Sequence, residues 1–213
     1  MKTLIASTLF CSLAFFSCKK ENSNTTPTIP QQETTKQTNY SIDSEATEIH
    51  WTAYKTTDKK AVEGVFTKLN ITESTPSITK QDVFKNLTFE IPVSSFFSNN
   101  DVRDNKIKTL FFGVMENTTL ITGTFSKIDG NNVNGHLTMN LNMNNNTVNV
   151  PLTYSINNNI ITLNGTINNL LDWKMKQAFD SLHKSCELLH TGEDGISKTW
   201  QDVAIGATVV LKH

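Results

Sequence analysis

His183, Cys186 and His190 are the residues whose types and spacing could do chemistry together. On a helix, at roughly 100° per residue, all three fall within a narrow arc. Imidazole and thiolate would suit zinc, copper or haem iron. One helix offers three ligands at most, and no fourth is evident in the sequence. The plainer reading makes Cys186 a buried small hydrophobe with the two histidines flanking it at the surface. Metal or haem binding is therefore carried as the second functional reading.

Other polar groups carry less. Glu193-Asp194-Gly195 near His190 has the composition of a chain turn, and Ser197 with His190 is equally unspecific. There is no Gly-x-Ser-x-Gly elbow and no phosphate-binding glycine loop. The sequence is not expected to encode an enzyme. With 19 Lys and Arg against 20 Asp and Glu, the formal charge is −1. That leaves no basic footprint for nucleic acid.

The elements that must position these groups are mostly strands. Leu120–Ile167 reads as four strands in succession. Val133, Gly135, Leu137, Met139, Leu141 and Met143 share one face, and Asn134, His136, Thr138, Asn140 and Asn142 the other. The pattern restarts after Asn144-Asn145-Asn146 and again after Asn157-Asn158-Asn159. Period-two alternation means one wet face and one apolar face, and Asn suits the turns between because it tolerates positive φ. Glu48–Tyr54, Val62–Ile71, Val83–Val93 and Val203–Leu211 bring the expected total to eight. The second of these is ambiguous: Val62, Gly64 and Phe66 share one parity, Val65, Leu69 and Ile71 the other. His50 and His136 lie on wet parities and are expected at the surface. Two helices interrupt the strands, a short one over Asp101–Leu110 and a longer one over Met175–Leu189. Asp172 is the expected cap of the longer helix and Gly192 its stop. The fold class is all-β, an antiparallel eight-stranded barrel, because closure removes both unpaired edges of a long meander.

The apolar face would then point inward. Its expected members include Trp51, Phe66, Phe89, Leu137, Met139, Leu141, Val150, Leu152, Tyr154 and Leu163. Alternation alone leaves two outcomes open, a solid core or a tunnel for a lipid tail, and small barrels are often solid. A membrane-spanning barrel would alternate too. With three Trp and three Tyr, however, the chain has too few aromatics for interfacial girdles, and a long helix interrupts its strands.

Residues 1–17 read as an export signal: Lys2, then a short apolar run over Leu4–Phe16. Phe15-Phe16-Ser17-Cys18 resembles a bacterial lipobox, which would make Cys18 the acylated first residue of the mature protein and attach it to a membrane. Residues 18–39 are rich in Lys, Glu, Asn, Ser, Thr, Gln and Pro and read as a disordered tether. Residues 40–213 form the expected single domain. The location expected on these grounds is the cell envelope, as an outer-membrane lipoprotein facing the periplasm. Cys186 is then the one cysteine left in the mature domain, so no internal disulfide is expected.

Several short motifs, in order and spacing, resemble the YceI-like family. They are Tyr40-Ser41-Ile42-Asp43, Trp51, Gly64-Val65-Phe66, Val102-Arg103-Asp104-Asn105-Lys106-Ile107 followed by Phe111-Phe112, Gly123-Thr124-Phe125 and Gly135-His136-Leu137. The resemblance covers nearly all of 40–213. It implies a lipocalin-like barrel holding a long isoprenoid chain, a polyisoprenoid or an isoprenoid quinone, and so favours the tunnel over the solid core. Leu189-His190-Thr191-Gly192 and Ser197-Lys198-Thr199-Trp200 fall outside the general ligand-binding pattern.

Overall fold

A computed structural model describes residues 39–117 and 119–213. The expected signal peptide, the anchor Cys18 and the tether up to residue 38 lie outside the described residues. The described chain is an antiparallel β-meander with two helices. Its strands are β1 (Ser41–Lys55), β2 (Lys60–Phe66), β3 (Asn70–Glu73), β4 (Thr88–Pro92), β5 (Phe96–Phe97), β6 (Leu120–Gly130), β7 (Asn134–Met143), β8 (Asn146–Asn157), β9 (Ile160–Ile167) and β10 (Thr199–Lys212). Helix α1 covers Asp101–Lys106 and runs on as a wider π-turn through Ile107–Phe111; α2 covers Lys176–Ser185.

All ten strands belong to one sheet, ordered β3-β4-β6-β7-β8-β9-β10-β1-β2-β5. Each of the first two strands in that order is joined along the chain to one of the last two. β3 follows β2 after Thr67-Lys68-Leu69, and β5 follows β4 after a 3-10 turn at Val93–Ser95. The count of ten therefore corrects the expected eight: Val62–Ile71 is broken into β2 and β3, and β5 is an additional short strand beyond the end expected at Val93. If each broken pair is taken as one bent strand, the ring has eight members and closes.

The breaks have a local cause and a long-range one. Pro92 ends β4 because it has no N–H to offer a further ladder bond. The two breaks also face each other, with the Thr67 N–H donating to the Ser95 carbonyl at 3.0 Å. Phe66 and Leu69 stand on opposite parities, yet both reach the interior because the break switches the parity. That resolves the ambiguous face of Val62–Ile71. Residues 83–87, expected as strand, instead form a 3-10 turn and its exit, with Val83 and Phe84 buried.

The β6–β9 meander follows its sequence pattern. β7 and β8 run in register from Asn134↔Ser155 to Met143↔Asn146, leaving a two-residue turn. Asn144 and Asn145 fill it at φ 49° and 53°, the left-handed pair such a hairpin needs. Leu137, Met139, Leu141 and Met143 are buried while the side chains between them are not. Val133 is a correction: β7 begins after it, and it lies 61% exposed in the turn.

The helical segment is shorter than its periodicity implied. Lys174 adopts a left-handed φ of 57° and separates α2 from a preceding 3-10 turn at Leu170–Trp173. Asn169, not Asp172, caps that turn by accepting the Leu171 N–H. After Ser185 the chain tightens into a second 3-10 turn, Glu187–His190. Trp173 is 1% exposed and donates its indole N–H to the Leu141 carbonyl at 2.9 Å. Asn144 donates in turn to the Trp173 carbonyl, so the β9–α2 connection is fastened to the β7–β8 turn.

Candidate functional site

The barrel is hollow. A cavity of about 570 Å³ is walled by side chains from all ten strands and covered by α1 and α2. Phe179, Leu182 and Cys186, spaced three and four residues apart, supply the α2 side of the cover. The cavity touches Thr199 at one end of β10 and Val209 near the other. At about 3.3 Å per residue those ten steps span roughly 33 Å of strand. The void therefore runs along most of that strand.

Seven of the ten expected wall residues line it: Trp51, Phe66, Phe89, Met139, Leu141, Leu152 and Leu163. Leu137, Val150 and Tyr154 do not. They are buried at 2%, 2% and 3%, so their inward parity is correct, but they pack against protein rather than the void. Tyr154 sits at the end of β8 nearer the β6–β7 turn, where its hydroxyl donates to the Asn131 carbonyl.

The aromatic wall is ordered by its own contacts. Trp51 stacks on Phe96 with ring centres 4.8 Å apart, and Phe96 meets Phe66 and Phe112 edge-on. A Cβ on Gly64 would overlap the Trp51 indole, so glycine there lets the ring lie flat against β2. The Trp51 indole N–H is buried and has no hydrogen-bond partner. The segment Ser98–Lys106 is held by a compact polar knot that its pattern did not reveal. Asp104 is 6% exposed and accepts from the Ser98 N–H and hydroxyl, while Arg103 donates to the same hydroxyl and to the Ser98 carbonyl.

His183, Cys186 and His190 do come together, but not as metal ligands. Both imidazoles converge on one hydroxyl: Thr199 Oγ lies 2.8 Å from His183 Nδ1 and 2.6 Å from His190 Nδ1. A hydroxyl has one proton, so it donates to one ring nitrogen and accepts an N–H from the other. Burial pushes the Cys186 thiol up, against the opposing pull of Lys106 and Lys55. Burial, with Lys55, His183 and Lys106 acting in the same direction, lowers His190 to about 4. A neutral thiol and two rings turned onto a hydroxyl do not make a thiolate–imidazole set. Among the described residues no three His, Cys, Asp or Glu side chains are grouped to hold a metal ion. Cys186 is the buried, unpaired cysteine that the plainer reading expected. His136 is exposed, whereas His50 is half-exposed and touches the cavity.

Beyond geometry, a family model described as "YceI-like domain" matches residues 40–210. Among curated proteins no match is found. Two solved structures share the fold. One is a polyisoprenoid binding domain from Saccharophagus degradans implicated in plant cell wall breakdown. It is 14% identical at a TM-score of 0.57, over 81% of this chain and 97% of that one. The other is BcnA of Burkholderia cenocepacia, 17% identical at a TM-score of 0.51, over 81% of this chain and 99% of that one.

Proposed function

The chain belongs to the YceI-like domain family, and on that premise we propose that it binds a long apolar lipid inside its barrel without changing it chemically. The favoured ligand is a polyisoprenoid or an isoprenoid quinone. The observation that carries this reading is the shape and lining of the cavity: about 570 Å³, running most of the length of β10 and walled almost wholly by hydrocarbon and aromatic rings. That volume lies in the range of roughly 300–1,000 Å³ found for small-molecule sites. A void that runs along most of a strand suits an extended chain. Each methylene buried there contributes about 0.8 kcal/mol, and Met139, Met143 and Leu141 give the wall side chains that adapt to a flexible tail. That a protein of the same fold is a polyisoprenoid binding domain supports the reading.

Attachment to the cell envelope through an acylated Cys18 is the second part of the proposal. It rests on residues 15–18 and the polar stretch that follows them. Mass spectrometry of the mature N-terminus tests it, and an unmodified terminus at any residue other than 18 rejects it. Binding is tested by native mass spectrometry and organic extraction of protein purified from its own membranes. Recovery of a prenyl chain is expected. Protein that carries no lipid, and takes none up when offered, overturns the reading.

A further inference from the structure

The cavity wall is asymmetric in charge. Lys55, Arg103 and Lys106 all border it, and no Asp or Glu does. The three cations do not have the same status. Arg103 is spent on the Ser98 knot, where the buried Asp104 carboxylate bonds the same hydroxyl. Lys55 and Lys106 form no ion pair among the described residues. Each ammonium gives one hydrogen bond to a main-chain carbonyl at the end of a helical turn: Lys55 to Leu189 at 3.2 Å and Lys106 to Ser185 at 3.1 Å. An ammonium has three donors, so each retains two.

These two side chains reach main-chain carbonyls on either side of Cys186. Lys55 is the register partner of Thr199 across β1 and β10. Thr199 holds both imidazoles, and the carbonyl that Lys55 reaches belongs to the residue before His190. Lys106 reaches in from α1 to the residue before Cys186. The acids nearby are engaged elsewhere: Asp194 accepts from Thr57 and Ile196, Asp58 from Thr56, and Asp202 pairs with Lys59 at 2.8 Å. Glu187 is exposed and does not border the cavity. Every charge that bears on His190 is positive, which is part of why that ring is so hard to protonate. A half-buried cluster of like charges at the end of a hydrocarbon tunnel is a cost to the empty protein that one anion would offset.

We propose that Lys55 and Lys106, with the Thr199–His190 pair between them, form a subsite for an anionic head group. The site would then prefer an anionic amphiphile, a long apolar chain ending in a carboxylate or a phosphate, over a neutral prenyl chain of the same length. This rests on the apolar-tail reading above and adds the chemistry of the head. The head would displace water from the two ammonium groups and take charge-assisted hydrogen bonds from them, while the tail lies along β10 towards Val209.

The test uses three probes with one tail: geranylgeraniol, geranylgeranoic acid and geranylgeranyl monophosphate. They are titrated by calorimetry into the delipidated full chain at low salt. At least one anion is expected to bind about tenfold or more tightly than the alcohol, and whichever anion shows the preference distinguishes carboxylate from phosphate. In the Lys55→Gln/Lys106→Gln double variant the ratio of anion to alcohol affinity is expected to fall to about one. The thermal unfolding midpoint, compared with that of the natural sequence, is the control for folding. A Lys55→Arg/Lys106→Arg variant is expected to keep most of the preference. Equal binding of all three probes by the natural sequence, or a preference that survives the double Gln variant, overturns the head-group subsite and leaves the tail site standing. Failure of all three to bind overturns both.

Discussion

β7 and β10 carry the same sequence pattern and meet different surroundings. In β7 the inward residues Leu137, Met139, Leu141 and Met143 are 2–8% exposed. In β10 the inward residues Val203, Ile205 and Ala207 are all only partly buried, and full burial resumes at Val209. Both sets point into the barrel. The difference is one of degree. Met139, Leu141 and Met143 touch the cavity too, but Leu137 of β7 and Val150 and Tyr154 of β8 are backed by other side chains, whereas Val203, Ile205 and Ala207 of β10 all border the void. Small residues enlarge the hollow side, as Ala53, Gly206 and Ala207 all border it. Alternation thus decides which way a side chain points. Side-chain volume across the barrel decides whether it meets protein or void.

The largest effect is expected where the wall is solid. Leu137→Ala should destabilise the fold by about 2–5 kcal/mol, measured by denaturant unfolding, because it opens a cavity among buried neighbours. Its effect on lipid affinity should be minor. A stability loss below about 1 kcal/mol would mean that Leu137 faces the void as the inward residues of β10 do. Next comes filling the hollow side. Ala207→Phe should remove most lipid binding in a titration with a prenyl alcohol, with a denaturation midpoint equal to or above that of the parent. Binding that persists unchanged would place the ligand elsewhere. A smaller effect follows from Ile205→Ala, whose side chain already borders empty space. It should cost about 1 kcal/mol or less, and should weaken lipid binding more than Leu137→Ala does.

The smallest effect is electrostatic. His190 titrates near 4 in the fold, below its ordinary 6.5. Between those values the unfolded chain binds more protons, so stability rises with pH across that window and is lost as pH falls from about 6.5 towards 4. His190→Gln should flatten that part of the stability profile, read from thermal midpoints at a series of pH values. An unchanged slope would assign the acid sensitivity to other groups.

Much of this was legible because alternation is a local property. The β6–β9 meander, its Asn turns and the inward set on β10 follow from residues two apart. What the sequence hid depends on partners far along the chain. The breaks at 67–69 and 93–95 are fixed against each other by Thr67 and Ser95, so Val62–Ile71 reads alone as one strand with a confused face and β5 is not seen at all. His183 and His190 look like ligands until Thr199 arrives between them from β10. Leu137, Val150 and Tyr154 have the right parity for the tunnel, and only packing across the barrel excludes them. Lys55 and Lys106 went unnoticed because a lysine at the end of a strand or helix ordinarily reads as a solvated terminus.

The pairing of β1 with β10 also bears on how fast the hollow can form. Ser41 meets Lys212, 171 positions further along. The helices and the Asn hairpins close loops of a few residues, and those events are quick. Joining the first strand to the last requires the chain to surrender the entropy of its longest loop before that contact returns any energy. On the route from disordered chain to native fold, the closed wall along β1 and β10 belongs to the late, rate-limiting part. A chain that ends before residue 199 has the aromatic wall and the meander but no β10, and so nothing against which a tail could be enclosed.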